Sequence, residues 1–319
     1  MRSEFYGKRI AFLGDSLFHH GHFLDYLRAH FDGRADKPLL FNRGLGGNTA
    51  EMVKELFSDE ILSLRPDYCF VAFGANDVGG WLYDEASEVT EEVLRDRAER
   101  DRIHIASMRE VATLLKEAGI TPILCTTIAF NELIVEDKDI ETLADNKEKG
   151  EKIKSTLYTK RAFQSINNTF RRYREALART AEDTGSELCD LFSVFIDAQY
   201  KDLTLYEKDG VHLTADGGHL LLAKAILSHL GEEELLPRDS QFVREFRELE
   251  QKERSVQYVK WAFYHPIFGP VTNEKIKEEM EAMYRDPASP PHRKHASGNY
   301  LKYKGDATPL RKKLREVYG

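Results

Sequence analysis

The chain has 319 residues, 41% of them hydrophobic and 31% charged, the balance of a globular protein rather than a disordered one. A net charge of −8 argues against nucleic acid or an anionic membrane as the main partner. No stretch approaches the ~18 consecutive apolar residues of a membrane span, and the length suits an α/β domain of about 230 residues plus an appendage.

Residues 1–8 lack the apolar core of a signal peptide. Cys69, Cys125 and Cys189 each fall in a strand-like segment, so buried thiols and a reducing, cytoplasmic location are expected. Residues 8–15 read as a first strand. A helix follows from Leu17 to Phe31, with Phe18, Phe23, Leu24, Leu27 and Phe31 on one face. Leu39–Asn42 is a short second strand, and Arg43–Thr49 is a glycine-rich turn. Residues 50–63 return to helix, and Tyr68–Phe73 is the apolar run of a strand buried on both faces. A charged helical stretch over 84–118 stops at Ala118-Gly119. A fourth strand spans Ile120–Ile128, and the polar stretch 131–160 reads as a surface loop or lid. A helix over 161–184, a fifth strand over Glu187–Leu191 and a closing helix over Gly218–Leu230 complete the alternation. That alternation implies a parallel three-layer α/β/α sheet with right-handed crossovers.

The boundary is expected near residue 231, with 1–231 as the α/β domain and 232–319 as a helical extension. Helical patterns cover Phe242–Ala262 and 274–284. Residues 286–310, rich in Pro, Ser, Gly and His, read as an extended arm. From Pro287 onward eight Lys/Arg stand against two Asp/Glu, which suggests an arm packed on the acidic body or on a second subunit. Trp261, Phe263, Tyr264, His265 and Phe268 are candidates for a satellite core, a pocket wall or a homo-oligomer interface.

Gly14-Asp15-Ser16 ends the first strand and presents a serine, which needs a base to act as a nucleophile. Taken alone, Ser16 reads more readily as a helix cap than as a nucleophile; its ordered partners reverse that reading. His212 is the candidate base, three residues after Asp209, whose carboxylate can orient an imidazole. Gly47 can offer an unobstructed backbone N–H and Asn76 a side-chain amide; with the Ser16 N–H these are candidate donors to an oxyanion. Ser16, Gly47 and Asn76 follow strands one, two and three, so they share the carboxyl edge where open α/β sheets bind ligands. The cluster His19, His20 and His22 reads as pocket lining or exposed histidine rather than as a metal site.

The blocks Gly14-Asp15-Ser16-Leu17, Asn42–Thr49, Gly74-Ala75-Asn76-Asp77 and Asp209-Gly210-Val211-His212-Leu213 together resemble the SGNH hydrolases, or GDSL esterases and lipases, over roughly residues 8–230. The resemblance implies a five-stranded, flavodoxin-like sheet, with Ser16 as nucleophile, His212 as base and Asp209 as its orienter. It places Ser16, Gly47 and Asn76 in the oxyanion hole, with Gly47 preferred over Gly44 and Gly46. Asp15 and Asp77 take structural places beside the site. No metal or other cofactor is implied. The expected substrate is a small-molecule ester, preferably an acetyl ester on a carbohydrate. A short-chain lipid esterase or an acyltransferase with the same triad, and a binding protein that has lost catalysis, are the rivals.

Overall fold

The computed structural model describes residues 1–54, 57, 61–83, 89–133, 160–235, 240–264, 273–289 and 291–316. The chain divides into two compact units, Met1–Pro237 and Arg238–Gly319.

The first unit is built on strands β1 (Arg9–Gly14), β2 (Leu39–Gly44), β3 (Tyr68–Ala72), β4 (Thr121–Cys125) and β5 (Glu187–Cys189). They form one five-stranded sheet in the order β2-β1-β3-β4-β5, and every pairing is parallel. This is the doubly wound, flavodoxin-like order, with its switch point between β1 and β3. The helices are α1 (Ser16–His19), α2 (His22–Phe31), α3 (Glu91–Glu117), α4 (Lys160–Thr184), α5 (Leu191–Ala198) and α6 (Gly218–His229).

Side chains alternate across the sheet and bury both faces. Ile10, Phe12, Phe70 and Ile123 pack with Phe23, Leu24 and Leu27 of α2, Phe195 of α5, and Leu222 and Ile226 of α6. Ala11, Leu13, Val71 and Leu124 pack on the other side with Val53, Phe57, and Met108, Val111 and Leu115 of α3. The helix α4 supplies side chains to both clusters, through Phe163, Ile166 and Phe170 and through Leu177 and Ala181. Among the described residues, no helix is long and apolar enough to cross a membrane.

Three expectations differ from the structure. The helix foreseen over Leu17–Phe31 is two helices, because α1 ends where the Asn42 side chain donates to the His19 carbonyl, at 3.1 Å, in place of a further helical turn. A helix missed in the sequence, α5, begins at Leu191, capped by Asp190, whose side chain accepts from Ser193 N–H at 3.2 Å. The extended arm over 286–310 is also corrected. The second unit consists of α7 (Gln241–Tyr264), α8 (Asn273–Arg285), α9 (Pro291–Lys302) and α10 (Thr308–Glu316). Pro291 and Pro309 both lie in first turns, where a missing N–H costs nothing. Val256, Ile276, Met280, Tyr300 and Leu310 form this unit's core, crossed by a buried bond from Arg311 to Glu253 at 2.8 Å. The aromatic side chains proposed as a pocket wall, from Trp261 to Phe268, lie outside the described side chains, as does most of the polar stretch 131–160.

The register determines where the chemistry sits. Gly44 pairs with Gly14, Gly14 with Ala72, Ala72 with Cys125, and Cys125 with Cys189. One row of residues thus marks the carboxyl end of the sheet. The helix α1 lies directly on this row: a Cβ at Gly44 would stand 2.3 Å from the His19 nitrogen and 2.5 Å from the Phe18 carbonyl carbon. Only backbone can yield there. We expect Gly44→Ala to lower the unfolding free energy by about 3 kcal/mol, the upper range for overpacking, measured by urea denaturation.

Candidate active site

Ser16 opens α1 two residues beyond Gly14. The Asp15 side chain caps this helix by accepting from the Leu17 N–H at 2.9 Å. As the first helical residue, Ser16 has a backbone N–H with no partner inside the helix. Its hydroxyl lies 3.0 Å from Nε2 of His212. His212 Nδ1 lies 2.6 Å from Oδ2 of Asp209, which assigns the Nδ1 proton to that bond and leaves Nε2 as the acceptor facing Ser16. The other carboxylate oxygen, Oδ1, accepts from the backbone N–H groups of Val211 and His212, each at 2.9 Å. A three-residue separation thus lets one tight loop grip both ends of the carboxylate.

That loop is held from behind. Asn131 N–H donates to the Gly210 carbonyl at 2.8 Å, and the Tyr206 hydroxyl donates to the Ala129 carbonyl at 2.6 Å. An antiparallel bridge joins Tyr206 to Leu213. The segment after β4 therefore anchors a loop more than 75 residues downstream. These anchors are mostly backbone groups, which leave no mark in a residue pattern.

Burial pushes the Asp209 carboxyl upward, but its hydrogen bonds from His212 and Val211 outweigh this and hold it below the usual carboxylate range. The Asp209 hydrogen bond raises the His212 imidazole above its ordinary value of 6.5, against the opposing effect of burial. Both shifts describe an imidazole whose charged form is stabilised by the carboxylate behind it.

The second and third loops face the serine from the adjacent strands. Gly46 is near it, since a Cβ there would lie 3.9 Å from the Ser16 Cβ. Gly47 is exposed, and its φ of +78° is one that glycine adopts without strain. Asn76 donates through Nδ2 to the Asn48 carbonyl at 2.9 Å. An amide carries two N–H groups, so this bond fixes the side chain while leaving one for another acceptor. The Asn48 carbonyl was invisible to sequence reasoning, although its residue lies within the second block.

The histidines after Ser16 part company. His20 meets His212 edge to face, with centroids 5.6 Å apart, and burial followed by the charges of His212 and His22 lowers its affinity for a proton. His19 places Nδ1 3.2 Å from the Gly44 carbonyl, whereas His22 lies beside His219, at 5.3 Å. Among the described residues, no group of three His, Cys, Asp or Glu is arranged to hold a metal ion. A groove of about 1000 Å³ runs beside the triad loop, between α5 and the start of α6, lined by Asp197, Lys201, Glu207, Thr214 and Lys224 among others, and includes neither Ser16 nor His212.

Asp15 is 1% exposed, and its Oδ2 accepts no hydrogen bond. Burial pushes its carboxyl up to about 7, despite the Leu17 N–H. The folded chain therefore holds this proton more tightly than the unfolded chain, so the group favours folding below pH 4 and loses that contribution as pH rises through 7. We expect Asp15→Asn, which keeps an acceptor for Leu17, to gain thermal stability relative to wild type between pH 5 and pH 8. The expected relative gain is roughly 2.5 kcal/mol, from the two pH units between 5 and the folded value of about 7, measured by melting at both values.

The sequence pattern of the GDSL-like Lipase/Acylhydrolase family matches residues 12–220. A gut microbial diltiazem-metabolizing enzyme superposes with a TM-score of 0.68 over 98% of this chain and 95% of its own, at 16% identity. A catalytic mutant of an acetylxylan esterase from Geobacillus stearothermophilus does so with a TM-score of 0.51 over 73% of this chain and 98% of its own, at 19% identity. At these identities the likeness is one of fold. The uncharacterized lipoprotein YqeF of Bacillus subtilis (strain 168) is 32% identical over 93 residues, 29% of this chain and 34% of that protein; the match thus spans about a third of the lipoprotein's length. The sheet order, the four ordered blocks and the matched pattern lead to one assignment: the chain belongs to the GDSL-like Lipase/Acylhydrolase family, the SGNH hydrolases.

Proposed function

We propose that the chain hydrolyses small acyl esters, acetyl groups on carbohydrate above all, through an acyl-enzyme on Ser16. The observation that carries this reading is the unbroken line from Asp209 Oδ2 to His212 Nδ1 at 2.6 Å and from His212 Nε2 to Ser16 Oγ at 3.0 Å. His212 takes the Ser16 proton as Oγ attacks the acyl carbon. Asp209 stabilises the resulting imidazolium and remains ionised. The carbonyl oxygen becomes an oxyanion and receives the N–H groups of Ser16 and Gly47 and the second amide N–H of Asn76. As the intermediate collapses, His212 gives its proton to the departing alkoxide, which leaves as an alcohol. Water then gives a proton to His212 and attacks the acyl carbon. Collapse of the second intermediate releases the acid and returns the proton to Ser16.

The preference for an acetylated sugar is supported by the shared fold with an acetylxylan esterase. The same residues would serve a short-chain lipid esterase, or an acyltransferase in which an alcohol replaces the water. The buried, unbridged Cys69, Cys125 and Cys189 support a reducing, cytoplasmic setting.

Ser16→Ala is expected to abolish fluorophosphonate labelling and to reduce ester hydrolysis by at least about 10³-fold, as followed with p-nitrophenyl acetate. Acetate should be cleaved faster than butyrate, and octanoate slowest; an octanoate optimum would sink the acetyl preference. His212 must be neutral to accept a proton, so activity should rise with pH through a midpoint above 6.5. Asp209→Asn removes the group that raises this midpoint, and should move it to lower pH while reducing kcat by about 10²–10⁴-fold.

A further inference from the structure

Behind the Asn76 amide lies a set of contacts that the acyl transfer itself does not use. Asp77 is 5% exposed. Its Oδ1 accepts from the Ala50 N–H at 3.0 Å, and its Oδ2 accepts no hydrogen bond. Nδ1 of His104, on α3, stands 3.0 Å from the same Oδ1. The approach is close but too bent for a hydrogen bond. The His104 ring is 2% exposed and stacks on Tyr173 of α4, with centroids 4.1 Å apart and planes 20° apart. Arg100, one turn earlier on α3, reaches only the Asp77 backbone carbonyl, at 3.4 Å.

A buried carboxylate with one hydrogen bond needs a further compensating group, and the His104 ring stands within ion-pair distance of it. What that carboxylate holds is the oxyanion hole. Two bonds tie the second loop to the third in opposite senses, Asn76 Nδ2 to the Asn48 carbonyl at 2.9 Å and Ala50 N–H to Asp77 Oδ1 at 3.0 Å. They flank Gly47 and Asn76 and set the spacing of the Gly47 N–H and the Asn76 amide. If the Asp77 carboxylate turns, the second tie is lost.

We propose that His104 is a positioning residue for ester hydrolysis: by fixing the Asp77 carboxylate from α3, it holds the Gly47 and Asn76 donors at the separation an oxyanion requires. This rests on the esterase reading above. His104 touches neither Ser16 nor His212 and acts only through the donors, so its contribution disappears when the donor does.

The test is a double-mutant cycle on p-nitrophenyl acetate, with folding of each variant checked by melting. His104→Phe keeps the ring but loses the nitrogen; kcat should fall by about tenfold to a hundredfold with KM unchanged. His104→Asn loses the ring but places an amide N–H near the position of Nδ1, and should recover most of the kcat. In an Asn76→Ala background, His104→Phe should cost less than about twofold, because coupled groups do not add. An equal loss in that background, an unchanged kcat in His104→Phe, or no recovery in His104→Asn would each overturn the proposal. If His104→Phe fails to fold, His104→Leu takes its place in the same cycle, since it too loses the nitrogen that faces Asp77. In an Asp77→Asn background, which keeps an acceptor for Ala50, a further fall in kcat on adding the folded His104 variant has the same overturning force. Fluorophosphonate labelling keeps the two readings apart. A folded wild type that does not label defeats the esterase reading and this proposal with it, whereas additive losses in a labelled enzyme defeat the role of His104 alone.

Discussion

The parallel register across the carboxyl end of the sheet is the constraint on which the site depends. Gly44, Gly14, Ala72, Cys125 and Cys189 stand in one row, so a loop leaving any strand begins at the same height. Ser16, Gly47 and Asn76 lie only two, three and four residues beyond that row. A slip of one residue in a strand would exchange its two faces and also move one member of the site by more than 3 Å along the strand. Burial of both faces opposes such a slip, since Phe12 and Leu13 serve different cores. The hydrophobic core and the reacting groups are therefore specified by one pattern of alternation.

The site accepts local costs that this scaffold can bear. Asp15 and Asp77 are carboxyls buried beside the reacting groups, and each leaves an oxygen without a hydrogen bond. Both also hold backbone N–H groups in place, Leu17 for the helix that carries Ser16 and Ala50 for the loop that carries Gly47. Polar groups that destabilise the fold can still be retained where they fix geometry. Asp209 differs, since its interactions with His212 and Val211 more than offset its burial.

Much of this was legible in the residues. Near-continuous apolar runs such as Tyr68–Phe73 revealed a sheet buried on both faces, and the triad was readable because each member is a distinctive residue type at a strand end or in a tight loop. What escaped was carried by the backbone. The carbonyls of Asn48, Ala129 and Gly210, which fix Asn76 and the triad loop, belong to residues whose side chains say nothing about them. The arm over 286–310 was misread because Pro, Ser and Gly punctuate loops and first turns alike, and tertiary packing of Tyr300 and Leu310 on Val256 and Ile276 decided between them. His104 gave no signal either, because its partner Asp77 lies 27 residues earlier and meets it only through the packing of α3.

The chemistry is divided unevenly along the chain. The proposed nucleophile and oxyanion donors lie before residue 77, whereas the proposed base, His212, arrives 196 residues after the serine, with its carboxylate three residues ahead of it. A nascent chain emerging from the ribosome thus carries the proposed donors and an inert hydroxyl through most of its synthesis. On the proposed mechanism, Ser16 becomes reactive only once the Asp209–His212 loop has been made and docked on the segment after β4. Any fragment ending before that loop, whether from early termination or proteolysis, would lack the base that makes Ser16 a nucleophile.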